Sequence, residues 1–184
     1  MKQLLIILTI VFWSITAWTQ QNNITLSGGY VFTNVEETDV NATGWRINGL
    51  YEFNPQEGKF AHGISFGYIS TKAEYISSVQ TSNYTLHTFP LYYAPKVMLG
   101  NDKFKGFLKG ALGMHFSQYK RTGTLVEISA NDFGFYGGAS LGGMILLSPK
   151  LFINVEYEWA FLSNSYYKNG FVNTVMGGIG FRFE

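Results

Sequence analysis

Three residues in the third quarter of the chain carry the side chains that ester cleavage requires. His115 and Ser117 are separated by one residue, and Glu127 follows further along the chain. A histidine base can take the proton of a serine hydroxyl, so that the serine oxygen attacks an ester carbonyl, while a carboxylate orients the histidine. These residues define a first hypothesis, a hydrolase that uses His115, Ser117 and Glu127.

Other sites of chemistry are not indicated. His62 and His87 stand alone, and no nearby carboxylate or cysteine completes a metal-ligand set around either of them. We find no phosphate-binding loop and no paired acid site. The 13 Lys and Arg residues against 12 Asp and Glu residues are scattered one or two at a time, without the basic stripe that nucleic-acid binding needs. The sequence therefore predicts no metal, no cofactor and no nucleic-acid partner.

The elements that must position these residues are strands, because apolar and polar residues alternate from residue 23 onward. In the clearest segment, residues 151–161, the odd positions are apolar or aromatic and the even positions include Asn154, Glu156 and Glu158. Pro90 and Pro95 each remove a ladder donor, so we expect a bulge or bend there. The eight predicted strands are residues 24–33, 43–53, 60–70, 84–99, 104–117, 132–147, 151–161 and 172–183.

Short and long connections alternate between these strands. Residues 54–59, 100–103 and 148–150 form short links with turn residues, and residues 34–42, 71–83, 118–131 and 163–170 form longer polar links. This pattern is typical of a membrane barrel with tight periplasmic turns at one end and surface loops at the other.

The amino-acid composition indicates that the apolar faces of the strands contact lipid. Only 14% of the residues are charged and 17% are aromatic, yet no stretch after the N-terminus approaches the length of a membrane helix. Strands cross a bilayer only when closure pairs every edge group. A soluble sandwich or lipocalin-like barrel is the alternative, but the polar faces, mostly Gly, Ser, Thr and Asn, are too mild for a soluble exterior. We predict an all-β, eight-stranded antiparallel up-and-down transmembrane β-barrel, integral to the bacterial outer membrane.

The parity of each strand divides its side chains between an interior and a lipid face. The charged residues share the parity opposite the apolar one, which predicts a polar network in the lumen: Arg46, Glu52, Lys96, Lys105, Lys109, Glu156, Glu158 and Arg182. Rings near the strand ends predict a lipid-facing aromatic girdle: Trp45, Tyr51, Phe53, Tyr68, Phe116, Trp159, Phe181 and Phe183.

The first residues predict a signal peptide. Lys2 gives a positive start, Leu4 to Trp13 form an apolar core, and small residues precede a plausible cut before Gln20. A permanent helical anchor is the alternative, but the segment is short and polar residues follow at once. We assign residues 1–19 to a signal peptide and residues 20–184 to the barrel domain.

The last strand resembles a known family. Gly177-Gly178-Ile179-Gly180-Phe181-Arg182-Phe183 is similar to the closing strand of small OmpX- and OmpA-like barrels, and Thr88-Phe89-Pro90-Leu91 also resembles porin-family outer membrane proteins of Gram-negative bacteria. The resemblance implies that the barrel-assembly machinery reads the terminal aromatic-x-aromatic pattern, although Glu184 follows the last aromatic residue here. Separately, His115-Phe116-Ser117 with Glu127 faintly resembles outer-membrane lipid A deacylases.

Three functional hypotheses follow. An eight-stranded barrel is just wide enough for side chains to fill, so the leading hypothesis is a non-enzymatic structural or interaction protein whose lumen is plugged by paired charges. Its partners would be outer-membrane lipid or lipopolysaccharide and an unknown extracellular molecule held by four surface loops. The loop candidates are Glu36, Glu37, Asp39, Tyr75, Tyr119, Lys120, Arg121, Tyr166 and Tyr167. The alternatives are a narrow ion-conducting pore and a lipid A deacylase-like hydrolase, although the predicted register turns His115 away from the membrane.

Overall fold

The computed structural model describes residues 20–55, 58–77, 81–101, 103–123, 127–164 and 166–183. The predicted signal peptide, residues 1–19, lies outside these ranges. Within them, no helix is long and apolar enough to cross a membrane.

Nine strands are present in the described ranges, and they follow the predicted alternation closely. β4 and β5 occupy the same place in the sheet, and Ala94 and Pro95 separate them at the predicted bend. The strands are β1 (Gln20–Val35), β2 (Asn41–Pro55), β3 (Phe60–Ile76), β4 (Thr81–Tyr93), β5 (Lys96–Gly100), β6 (Phe104–Gly123), β7 (Glu127–Leu146), β8 (Leu151–Leu162) and β9 (Tyr167–Phe183).

The sheet closes on itself. Strands that follow one another in the chain pair antiparallel, except that β4 and β5 both lie between β3 and β6, and β1 pairs with both β2 and β9. With β4 and β5 counted as one position, the ring has eight members. The predicted eight-stranded up-and-down barrel is confirmed, and closure pairs the edge groups that an open sheet would leave without partners in hydrocarbon.

The two faces of the ring have opposite chemistry. β8 shows this without interruption, because its even-numbered side chains are buried and its odd-numbered side chains are exposed. Large apolar side chains such as Leu26, Ile64 and Val155 are therefore on the outside, and charged side chains such as Arg46 and Glu158 are inside. Such an exterior is compatible with hydrocarbon and not with water.

Five of the predicted strand ends, all at the long-link end of the barrel, are wrong by about three to six residues. β3 continues to Ile76 and β4 begins at Thr81, so most of the predicted loop 71–83 is strand. In the same way β6 continues to Gly123 and β7 begins at Glu127, inside the predicted loop 118–131. β9 begins at Tyr167, inside the predicted loop 163–170. The polar composition suggested loops, but the antiparallel ladder satisfies the backbone there whatever the side chains are. Hence five loop candidates belong to strands: Tyr75, Tyr119, Lys120, Arg121 and Tyr167.

Close strand approach inside the ring depends on glycine. A Cβ on Gly113 would lie 2.2 Å from the backbone oxygen of Leu91 and 2.5 Å from the Cα of Tyr92. No side chain fits in that space, so Gly113 permits the contact between β6 and β4. Because Gly113 has no side chain, the interior of the barrel at this point is occupied by side chains from other positions.

Candidate functional site

A buried ion pair lies at the centre of the barrel. Arg46 on β2 pairs with Glu158 on β8, and neither side chain is more than 1% exposed. Arg46 also donates to the hydroxyl oxygens of Tyr136 at 3.0 Å and Tyr92 at 2.9 Å. Tyr136 donates to the Glu158 carboxylate. The guanidinium and the carboxylate therefore each have several partners, which a charge inside a narrow barrel requires.

A second cation completes this central cluster. The Lys109 Nζ lies 2.5 Å from the Glu156 carboxylate and 3.8 Å from that of Glu158. All three side chains are buried. Together with Arg46, the central cluster has two cations and two carboxylates, so its formal charge is zero.

A separate pair lies closer to the short-turn end. The Lys96 Nζ donates to both carboxylate oxygens of Glu52, at 2.7 and 2.9 Å. The same Nζ lies 4.6 Å from the centroid of the Phe107 ring, a cation–π contact that further stabilises the ammonium. This pair is also neutral, so in the part of the chain that the structure describes three buried cations are matched by three buried carboxylates.

Apolar layers lie on both sides of the ionic residues. The layer at the short-turn end consists of Ala61, Met98, Phe107, Met144 and Phe152. The layer at the opposite end is rich in tyrosine and includes Val31, Val35, Ile69, Tyr84, Leu86, Tyr119, Leu162, Tyr167 and Val172. Between the apolar layers the interior holds the paired charges.

The connections at the long-link end fold over the mouth of the barrel. Tyr166 stacks on Tyr119 with ring centroids 4.5 Å apart, and Arg121 on β6 pairs with Glu37 of the β1–β2 turn. Asp39 lies in that turn, and its carboxylate accepts hydrogen bonds from Lys168 on β9 and Asn34 on β1. These bonds hold the pKa of Asp39 below its ordinary value of 3.8.

Two members of the predicted lumen network lie apart from the central cluster. The side chains of Lys105 and Arg182 are only partly buried, near the short-turn ends of β6 and β9. Strand parity points them inward, but so close to the rim water still reaches them. The central cluster instead includes Tyr92 and Tyr136, which were not among the predicted lumen residues. The inward position of Tyr92 could have been predicted, because Tyr92 has the same strand parity as Lys96 and lies in the same predicted strand, residues 84–99.

The predicted girdle residues lie on the outer face. Six of the eight are exposed, and Tyr68 and Phe183 are partly buried. Tyr68 is partly buried because Trp45 packs against it, with ring centroids 5.1 Å apart, and because its hydroxyl lies 2.6 Å from the His87 Nδ1. His62 similarly hydrogen-bonds Tyr93. Both histidines are thus satisfied on the outside, and no group of three metal-ligating side chains occurs in the described part of the chain.

The predicted hydrolytic site is not assembled. His115 and Ser117 are fully buried, with the His115 Nδ1 2.9 Å from the Ser117 Oγ. Glu127 lies seven residues before Gly134, the residue that pairs with His115 in the β6–β7 ladder. At 3.3 Å per residue, the distance along β7 between Glu127 and Gly134 is about 23 Å. Glu127 pairs instead with Lys120 at 2.6 Å. The prediction of a His115, Ser117 and Glu127 trio is wrong, because the extended β6–β7 hairpin carries the glutamate away.

The comparisons with known proteins agree with this architecture. The family model described as outer membrane protein beta-barrel domain matches residues 5–183. No curated protein sequence matches the chain.

Three solved structures illustrate the similarity of fold. Neisserial surface protein A (NspA) is 11% identical, with a TM-score of 0.65 over 88% of this chain and 97% of that one. The attachment invasion locus protein Ail of Yersinia pestis is 22% identical, with a TM-score of 0.55 over 88% and 99%. A major outer membrane protein of Thermus thermophilus is 11% identical, with a TM-score of 0.57 over 90% and 100%. The chain belongs to the outer membrane protein beta-barrel domain family and is an integral protein of the bacterial outer membrane.

Proposed function

We propose that this protein is a non-conducting, non-enzymatic membrane scaffold that binds an extended segment of an extracellular partner along the free edge of β7. The observation that carries the proposal is the unpaired upper part of that strand. Pairing between β7 and β8 begins at Tyr136 and Leu162, so residues 127–134 have no strand partner on the β8 side among the described residues.

The direction of the backbone groups supports binding at this edge. The Phe135 N–H donates to the Ser163 Oγ at 2.7 Å, and the Phe135 carbonyl accepts from the Ser163 N–H at 3.0 Å. Both groups therefore point away from β6. Alternate residues of a strand point their backbone groups to the same side, so the N–H groups of Ser129 and Asn131 also face the open edge.

An edge of this kind is a template for another strand. Unpaired N–H and C=O groups in a row bind extended peptides by adding them to the sheet. On the other side of β7, the ladder with β6 is continuous from Thr122 and Glu127 to Phe104 and Ile145, which holds the edge in an extended conformation. The partner therefore meets a preformed strand.

The contacts inside the barrel support the non-conducting part of the proposal. A pore for ions needs a continuous wet path, whereas here Arg46, Lys96 and Lys109 each have a buried carboxylate within 4 Å. The apolar layer around Phe107 and Phe152 adds a second obstacle at the short-turn end. The non-enzymatic part is supported by the burial of His115 and Ser117 away from both lipid and Glu127.

Proline substitution tests the edge directly. Short random peptides displayed on phage are selected against the folded protein in lipid nanodiscs, and binding of the selected peptides is then measured for two variants. Ser129→Pro with Asn131→Pro removes two edge donors and leaves the β6–β7 ladder intact. At about 1 kcal/mol for each hydrogen bond, we expect peptide binding to weaken by about 30-fold.

The matched control is Ser129→Ala with Asn131→Ala, which keeps both N–H groups and should bind normally. Electrophoresis with and without boiling confirms that both variants are folded. Equal binding by the proline and alanine variants, or equal loss in both, would refute strand addition at this edge.

A further inference from the structure

A groove interrupts the apolar outer face near the short-turn end, where β6, β7 and β8 run side by side. Its floor is the backbone of Gly106 and Gly143, which are partners in the β6–β7 ladder. Its volume is about 350 Å³. The apolar side chains along it are Leu99, Phe104, Ile145, Ile153 and Val155.

The two floor glycines are not required by the packing of the barrel. A Cβ on Gly143 would meet no atom within 4 Å, and one on Gly106 would meet its nearest neighbour at 3.8 Å. The adjacent Gly142 differs, since its Cβ would lie 2.4 Å from the ring of Phe107 inside the barrel. A glycine within a strand also weakens it. Because Gly106 and Gly143 have no side chains, they leave open the space that forms the groove.

Exposed lysines lie on the short turns near the groove. The Lys103 Nζ lies 5.7 Å from the centroid of the Phe104 ring that forms its wall. Lys59 and Lys150 are exposed on the neighbouring short turns. Among the described residues of this end, the exposed ionic side chains are all positive, whereas Glu57, Asp102 and Glu184 lie outside the described ranges.

The position in the membrane identifies the occupant. Short turns of such barrels face the periplasm, so the groove opens into the periplasmic leaflet with its lysines at the headgroup level. An empty groove would deprive its lining of dispersion contacts, and hydrocarbon chains are the apolar material that surrounds it. Lysines beside the polar end complement a phosphate.

We propose that the groove binds one glycerophospholipid of the periplasmic leaflet. One acyl chain lies over Gly106 and Gly143, and the phosphate lies beside Lys103. The site selects anionic phospholipid over zwitterionic phospholipid of the same chain length, because the ammonium group favours the net negative headgroup.

Two variants test the two halves of the site. The folded protein is taken from nanodiscs that contain equal amounts of phosphatidylglycerol and phosphatidylethanolamine, and native mass spectrometry measures the lipid it retains. Gly143→Leu fills the floor and should abolish retention of a single lipid. Lys103→Gln leaves the floor intact and should reduce the preference for phosphatidylglycerol by up to about fivefold.

The matched control is Gly49→Leu, a glycine on the outer face of β2 whose Cβ would meet its nearest atom at an ordinary 3.8 Å. It should retain lipid like the unmodified protein, and the shift on boiling verifies that each variant is folded. A diazirine placed in the acyl chain maps the contact, and we expect the crosslinks on β6, β7 and β8 at the groove. Crosslinks spread evenly around the barrel, equal retention by Gly143→Leu, or a protein dimer that Gly143→Leu dissociates would each overturn the proposal.

Discussion

Removal of Arg46 alone should destabilise the barrel far more than removal of Arg46 together with its partner. Arg46→Met leaves Glu158 with one cation, Lys109 at 3.8 Å, while Lys109 already pairs with Glu156 at 2.5 Å. The central cluster then has an uncompensated negative charge. Breaking one side of a buried ion pair costs about 3–5 kcal/mol, and we expect a loss of unfolding free energy in that range.

The double variant Arg46→Met with Glu158→Leu restores neutrality, because the pair of Lys109 and Glu156 is left intact. Replacing a whole buried pair by apolar residues is often neutral or even stabilising. We therefore expect most of the loss to be recovered. Chemical denaturation in lipid vesicles, followed by the electrophoretic shift of the folded barrel, gives the unfolding free energies of the four members of the cycle.

An exposed pair provides the control. Lys120 and Glu127 are 54% and 59% exposed at the top of the β6–β7 hairpin. Lys120→Met should cost about 0–1 kcal/mol. A cost of Arg46→Met as small as this, or equal costs for its single and double variants, would refute the inference that the central charges are dry and coupled.

Three further predictions concern the outer face, the strand contacts and the mouth. Ile47→Arg places a charge on the lipid face of β2 and should reduce the unfolding free energy by about 2–4 kcal/mol if it lies near mid-membrane; an unchanged value would contradict lipid contact. Gly113→Ala should prevent folding, because its Cβ meets a backbone oxygen at 2.2 Å, whereas Gly143→Ala should fold normally; recovery of heat-modifiable protein measures both. The Asp39 carboxyl should titrate below 3.8 by NMR, and Lys168→Met should raise that midpoint. Since the folded pKa is lowered, this contact stabilises the protein above pH 3.8 and is lost as the pH falls through the folded value.

The alternation of apolar and polar residues predicted the barrel, because one face of each strand contacts lipid and the other faces the interior. In β8, Ile153 and Trp159 need hydrocarbon while Glu156 and Glu158 need partners, and only one register satisfies both. Pro95 also marked the interruption between β4 and β5 correctly. These are local properties that sequence alone carries.

The sequence did not predict which residues far apart in the chain contact each other. Arg46 and Glu158 are 112 residues apart, and nothing near either residue indicates that the two meet across the lumen. The extension of β6 and β7 was missed for a related reason. Each strand there is polar, and its stability comes from the ladder with the other strand rather than from its own composition. That omission misplaced Glu127 and with it the hydrolytic trio.

Planar-bilayer recording tests the closed interior most directly. If apolar layers and neutral ion pairs close the lumen as proposed, the folded protein, inserted from detergent, gives no stable conductance steps in concentrated potassium chloride. Reproducible steps whose size follows the salt concentration would contradict it, since they would require a continuous aqueous path past Arg46 and Phe107.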